Sequence, residues 1–189
     1  MNLRFRLIWT LICARFRKAL TPPQDRSVLT FRVWPLDLDP SLHMNNGRYL
    51  TIMDIGRLDL LARSGLLRAV VRHKWTPIAS TISIRYRREL RLFTRFRLET
   101  GLLTWDDASV VMEQLFLIDG GERDGQIAAR ALFKGGLYDR AAKTFVPVAR
   151  LMSEIGVEAV SPVPSPEVQA FLDADGAMKQ TTANTVSGT

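Results

Sequence analysis

The sequence predicts an α+β domain in which one curved antiparallel sheet wraps around one long apolar helix, with a basic hydrophobic helix in front of it. Three observations carry that expectation. Residues 49–63 are apolar around most of a helical circumference and stop at Gly65, so this helix must be enclosed on nearly every side. Four runs with period-two or β-rich patterning follow, at 78–90, 93–104, 109–119 and 126–138. Another β-rich run, 28–38, precedes the helix, and one sheet curled around one helix buries both with the fewest elements.

A chain of 189 residues that is 47% hydrophobic and 24% charged supports a single core. The lone Cys13 excludes an intramolecular disulfide, and one Cys with two His leaves no ligand set for structural zinc, so no metal is expected and a reducing compartment suits the composition. Composition shifts divide the chain into a helix at 1–20, a linker at 21–27, the domain at 28–148, a helical extension at 149–175 and a disordered tail at 176–189.

The net charge of +7 is concentrated at the start, where Arg4, Arg6, Arg15, Arg17, Lys18 and Arg26 face only Asp25 within residues 1–28. Between Arg6 and Arg15 lie eight apolar residues, far short of the roughly 20 that cross a bilayer. At helical spacing Phe5, Ile8, Trp9, Ile12, Phe16 and Leu20 share a face, Arg4, Arg15 and Lys18 lie on another, and Arg6 and Arg17 mark the border. That pattern fits a helix lying on a membrane surface, and equally a helix packed on its own domain or on a partner subunit. Arg15-Phe16-Arg17-Lys18 directly after the apolar run argues against a cleaved signal, and Thr21-Pro22-Pro23 ends the helix.

In the first strand Phe31, Val33 and Leu36 reach one face if Pro35 bends the chain. An amphipathic stretch at 66–75 follows the enclosed helix. The later strands form an antiparallel meander, joined by Trp105-Asp106-Asp107 and by the Gly-rich turn at 119–125. Residues 145–147 close the sheet, a short helix fits 148–155, and Pro162, Pro164 and Pro166 precede a further helical piece at 166–172.

At the junction of first strand and enclosed helix stands Asp37-Leu38-Asp39-Pro40-Ser41-Leu42-His43-Met44-Asn45-Asn46. A helix start presents unpaired backbone N–H groups and the positive end of a dipole, which can hold a carbonyl oxygen as it gains charge. An adjacent carboxylate can attack that carbonyl or activate water. The competing reading gives Asp39 or Asn45 a capping role only, with His43 satisfied locally.

The segment through Gly47-Arg48-Tyr49 resembles the Asp-x-Asp-x-x-x-His-x-Asn-Asn-x-x-Tyr signature of the 4-hydroxybenzoyl-CoA thioesterase family. Within that family the thioesterase-superfamily-member-6-like group is most similar, through residues 43–50, through Leu102-Leu103-Thr104-Trp105-Asp106-Asp107, and through the basic hydrophobic start. The resemblance covers residues 28–148 and implies a hot-dog fold and an acyl-CoA or acyl-carrier-protein thioesterase, with coenzyme A entering only as part of the substrate. It implies Asp39 as nucleophile or general base, with His43, Ser41 and Asn45 beside it. Ser41 stands where related enzymes have Asn, and Leu42 where many have Gly. Substrate contacts fall on Asn46, Tyr49 and Asp54, the last on the helix where some members carry their carboxylate; Asp54 can instead pair with Arg57. Arg85, Arg87 and Arg88 can take the phosphates of coenzyme A or form a solvated edge that blocks aggregation. A homodimer or homotetramer is implied, in the cytoplasm and peripheral to the inner membrane face.

A non-catalytic membrane-associated acyl-CoA- or lipid-binding hot-dog protein is the alternative, kept open by Ser41 and Leu42. A hydratase would need Asp where Leu38 stands. Nucleic-acid binding is not expected, because the arginines alternate with glutamates and carry no recognition motif.

Overall fold

The computed structural model describes residues 3–158 and 160–187. Helix α1 spans Leu3–Ala14, strand β1 Ser27–Arg32 and helix α2 Asn46–Arg63, followed by α3 at Leu66–His73. Strands β2 (Thr76–Tyr86), β3 (Arg95–Trp105), β4 (Val110–Ile118), β5 (Ile127–Asp139) and the short β6 (Thr144–Phe145) lead to α4 (Val148–Glu154) and α5 (Pro166–Ser187). All pairings are antiparallel, in the order β1-β3-β4-β5-β2, with β6 on the end of β5.

Helix α2 lies along the inner face of the sheet, as its apolar circumference requires. Ile52 and Met53 are sealed against Phe96, Leu98 and Phe116 from β3 and β4 and against the small Ala129 and Ala131 of β5. Gly56 sets the closeness of that contact: a Cβ there would lie 2.5 Å from the Thr100 hydroxyl and 2.7 Å from Leu98. The buried polar groups at this seam satisfy one another: the Gln114 amide donates to the Met53 carbonyl and to the Thr100 hydroxyl, each at 2.9 Å. Helix α5 covers the outer face, with Val168 and Phe171 on Val111 and Leu132.

Three elements differ from the sequence expectation. Strand β1 ends at Arg32 rather than at 38, because Pro35 cannot donate to a ladder and opens a 3-10 turn over Pro35–Asp37. Strand β2 joins β5 at the far edge instead of starting the meander beside β3. The connection 87–94 crosses the end of the sheet, and its Leu90 is wholly buried while accepting the Met44 amide at 2.8 Å. Helix α5 continues to Ser187, beyond the boundary expected at 175; no proline interrupts it, and the Thr181 and Thr182 hydroxyls donate back to the carbonyls of Ala177 and Met178. Gly188 and Thr189, the end of the expected disordered tail, lie outside the described residues.

Helix α1 packs on its own domain, but with its apolar stripe turned outward. Phe5, Ile8, Trp9, Ile12 and Phe16 are each more than half exposed, while Arg6, Thr10 and Ala14 face inward. Arg6 is 2% exposed and donates to the Arg32 carbonyl at 3.1 Å and to Asp37 at 2.5 Å. Beyond the helix, Arg63 holds the Lys18 carbonyl at 2.9 Å, and the Leu20 amide donates to the Arg63 carbonyl at 3.1 Å.

Candidate active site

The turn between β1 and α2 is held by backbone pairing and by Leu38 and Met44, which pack into the core. Leu38 bridges Met44 and His43 bridges Arg91, so residues 38–44 form a small loop seated on the 87–94 connection. The Asp39 amide donates to the His43 carbonyl at 2.9 Å, and the Leu42 amide to the Asp39 carbonyl at 3.0 Å. Closing so tight a loop puts Leu42 at φ 61°, a left-handed conformation in which its side chain points into solvent. An L-residue there costs on the order of 1–2 kcal/mol. A Gly at this position would carry no such cost, which gives the resemblance's Gly a physical basis.

Within the loop the Asp39 carboxylate is half-buried and faces the imidazole. One oxygen accepts the Ser41 amide at 2.9 Å; the other stands 3.2 Å from His43 Nδ1. Ser41 therefore acts through its backbone, and its side chain is exposed. Asn45 caps α2, its side-chain oxygen accepting the Gly47 amide at 2.8 Å, so the helix starts within three residues of His43. The arrangement presents a carboxylate, an imidazole on its far oxygen and a helix start: a base or nucleophile next to a place for negative charge.

A family model described as the thioesterase-like superfamily matches residues 33–172 of this chain. The chain belongs to that superfamily. Its curated relatives include Protein THEM6 of Xenopus laevis, 44% identical over 85 residues that make up 45% of this chain and 41% of the relative. Protein THEM6 of Danio rerio is 35% identical over 122 residues, 65% of this chain and 59% of the relative. The chain thus spans less than two thirds of either relative. Among solved structures, YbaW, a probable thioesterase from Escherichia coli, superposes with a TM-score of 0.62 at 24% identity, covering 68% of this chain and 96% of that one. The putative oleoyl thioesterase of Lactobacillus plantarum gives 0.64 at 15% identity, over 75% and 54%. The fold shared with these thioesterases is the hot-dog fold that the motif implies.

The remaining residues expected at the site fall in four places. Asn46 opens α2, and its carbonyl accepts the Tyr86 hydroxyl at 3.3 Å, which ties the end of β2 to the helix start. Tyr49 is a core residue, edge-on to Tyr86 and Phe116, and burial together with the neighbouring Tyr86 pushes its phenol well above the usual range. Its ring supports the helix start from beneath and does not line the open loop. Arg87 and Arg88 follow Tyr86 at the same end and pair their amides with the Ala128 carbonyl. Arg85 and Arg87 also line a cleft on the outer face with Glu113, Arg130 and Glu167, across the sheet from α2.

Asp54 lies elsewhere. It is exposed and paired with Arg57 one turn on, at the mouth of an apolar cavity of about 200 Å3 between the second half of α2, the starts of α3, β2 and β4, the ends of β3 and β5, and α4. Arg57 sits over the Phe133 ring, 4.0 Å from its centre, and donates to Gln114 at 2.7 Å. Burial lowers the Arg57 pKa, against the pull of Asp54. Eleven residues separate Asn46 from Arg57, about 17 Å along the helix at 1.5 Å per residue, so loop and cavity occupy opposite ends of α2. Sequence reasoning missed Arg57 as a cavity residue and missed Arg6 as a partner of Asp37. The only signal for Arg6 was its place on the border of the α1 wheel.

Proposed function

We propose that the protein hydrolyses the thioester of an acyl-CoA or acyl-carrier protein at Asp39. The Asp39 carboxylate takes a proton from water as the water oxygen bonds to the thioester carbon. The carbonyl oxygen gains negative charge beside the first amides of α2, the carbon–sulfur bond breaks, and the departing thiolate receives the proton that Asp39 holds. His43 fixes the second carboxylate oxygen, which keeps the other aimed at the water. The observation that carries this reading is the Asp39–His43 pair at the cap of α2, in a chain of the thioesterase-like superfamily. Arg88, just past the end of β2 that meets Asn46, suits the phosphates of coenzyme A.

A homodimer belongs to this reading. Strand β2 is an eleven-residue edge with β5 as its one neighbour among the described residues, and such an edge invites pairing with a second copy. Antiparallel pairing about a two-fold axis lays the start of one β2 against the end of the other. The cavity behind Arg57 of one protomer then lies toward the loop of its partner and receives the acyl tail. The outward stripe of α1 adds a peripheral contact with the inner membrane face.

A second reading, acyl binding without turnover, is favoured by the exposed Ser41 side chain, which leaves Asp39 with no side-chain amide beside it. Thiol release from acyl-CoA and acyl-carrier-protein thioesters of graded chain length separates the two. Turnover on at least one series supports the hydrolase. Calorimetric binding of acyl-CoA with no thiol release at any length establishes the binding protein.

A further inference from the structure

The face that α1 turns inward is the polar one, and its arginine ends at the site. Burying a guanidinium costs several kcal/mol unless it is paired and hydrogen-bonded. Arg6 meets that demand at one place, the last turn before the loop, through Asp37, which is itself 2% exposed. Asp37 is a hub: its carboxylate also accepts the Trp34 amide at 2.9 Å and lies 3.5 Å from Arg48 Nε in the first turn of α2. Its carbonyl accepts the amide of Asn45, the cap of α2, at 2.9 Å. Asp39 is two residues further on. The far end of α1 is tethered as well, through Arg63 to Lys18 and Leu20 and through Arg17, 3.8 Å from the buried Asp59. Held at both ends, the helix acts as a strut, and a displacement of it is delivered to the hub. The Arg6 Nε has no protein acceptor although it is buried, so the junction retains a cost that a small shift of the strut can relieve.

The outward face identifies what would move the strut. Four large apolar side chains stand exposed along a helix of about 18 Å, with Phe16 just past its end, and no helix among the described residues is long and apolar enough to cross a membrane. Exposed Arg15 and Lys18 flank Phe16. Apolar side chains with adjacent cations suit a bilayer surface rich in anionic lipid, where the rings enter the acyl boundary and the cations meet phosphate. We propose that α1 is a lipid-contacting element coupled to the active site, and that Arg6 is the positioning residue that carries the coupling through Asp37 to Asp39 and His43. This rests on the hydrolase reading above. Lipid contact steadies α1, and with it the loop, so that the carboxylate spends more of its time aimed at the thioester.

The test uses the full chain and a short-chain acyl-CoA that stays in water, so that delivery of substrate by the bilayer plays no part. With vesicles of phosphatidylcholine and phosphatidylglycerol the wild-type kcat rises threefold or more, and with phosphatidylcholine alone it does not. Arg6→Met sediments with the same vesicles, has a lower kcat at unchanged KM, and shows no rise; Arg6→Lys, which keeps the charge, recovers part of it. A wild type that binds no vesicles, a wild type that binds without a change in kcat, or an Arg6→Met with the full rise overturns the proposal. Hydrogen exchange at the Asp39 and Asn45 amides reads the same coupling without turnover. Exchange slows on adding anionic vesicles to the wild type, slows partly in Arg6→Lys and does not change in Arg6→Met, and wild-type exchange that does not respond overturns the coupling. Absence of any thioester hydrolysis beside a vesicle-dependent slowing would remove the hydrolase reading alone.

Discussion

Helices α1 and α2 are both read from sequence as apolar helices, yet the fold uses them in opposite senses. Helix α2 turns its apolar surface inward, seats Gly56 against the sheet and pairs its buried Asp59 with Arg63. Helix α1 turns its apolar surface outward and is held by ions and backbone bonds. The difference is one of available partners. The concave sheet has room for one enclosed helix, and the helix outside it is held at one end by the buried carboxylate of Asp37 and beyond its other end by Arg63. An amphipathic pattern shows which residues share a face, and tertiary context decides which way that face points.

The largest expected effect tests the ionic side of the comparison. Asp37→Ala leaves the Arg6 guanidinium buried without its counter-charge and costs about 3–5 kcal/mol in urea unfolding; a loss below about 1 kcal/mol would mean that α1 is not held through this pair. Next comes the apolar side. Gly56→Ala places a methyl against Thr100 and Leu98 and lowers stability by about 1–3 kcal/mol, and an unchanged urea midpoint would show that α2 is not seated so closely.

Helix α5 is the intermediate case, apolar at Val168 and Phe171 and ionic at Glu167, which shares Arg130 with Glu113. Burial raises the Glu113 pKa, but the bonds from Arg26 and Arg130 outweigh it and hold it below the ordinary value. A depressed carboxylate stabilises the fold above its unfolded pKa, about 4.3, and that contribution is lost as pH falls through the folded value. The stability gap between wild type and Glu113→Gln is therefore widest near neutrality and closes below about pH 4; a gap independent of pH would contradict this. The smallest expected effect on folding is at Trp9. Trp9→Ser changes stability by no more than about 0.5 kcal/mol, while sedimentation with anionic vesicles falls several-fold. Loss of stability without loss of vesicle binding would show that the exposed stripe of α1 is packed rather than lipid-facing.

Much of the domain was legible because it obeys local rules. The enclosed helix, the Gly65 stop at φ 86°, the turn at Asp106 and the four long strands follow from periodicity and turn chemistry. The place of β2 beside β5 was not legible, since strand order depends on where the 87–94 connection buries Leu90 and no pattern within β2 encodes that. At the site, the Asp39–His43 pairing and the Asn45 cap could be read from spacing four and from cap preference. The Asp37 hub could not, because Arg6 is 31 residues away and carries no mark beyond its border position. Arg57 was hidden for the same kind of reason: its i+3 pairing with Asp54 could be read from sequence, but the cavity it borders is made by seven separate elements.

The central claim is that Asp39 is the base for thioester hydrolysis, and thiol release at saturating acyl-CoA by wild type and Asp39→Asn tests it most directly. Asn keeps the shape and the acceptor for the Ser41 amide but cannot take a proton, so kcat falls by about 10^3 with the melting temperature unchanged. An Asp39→Asn protein that hydrolyses at the wild-type rate would contradict the account.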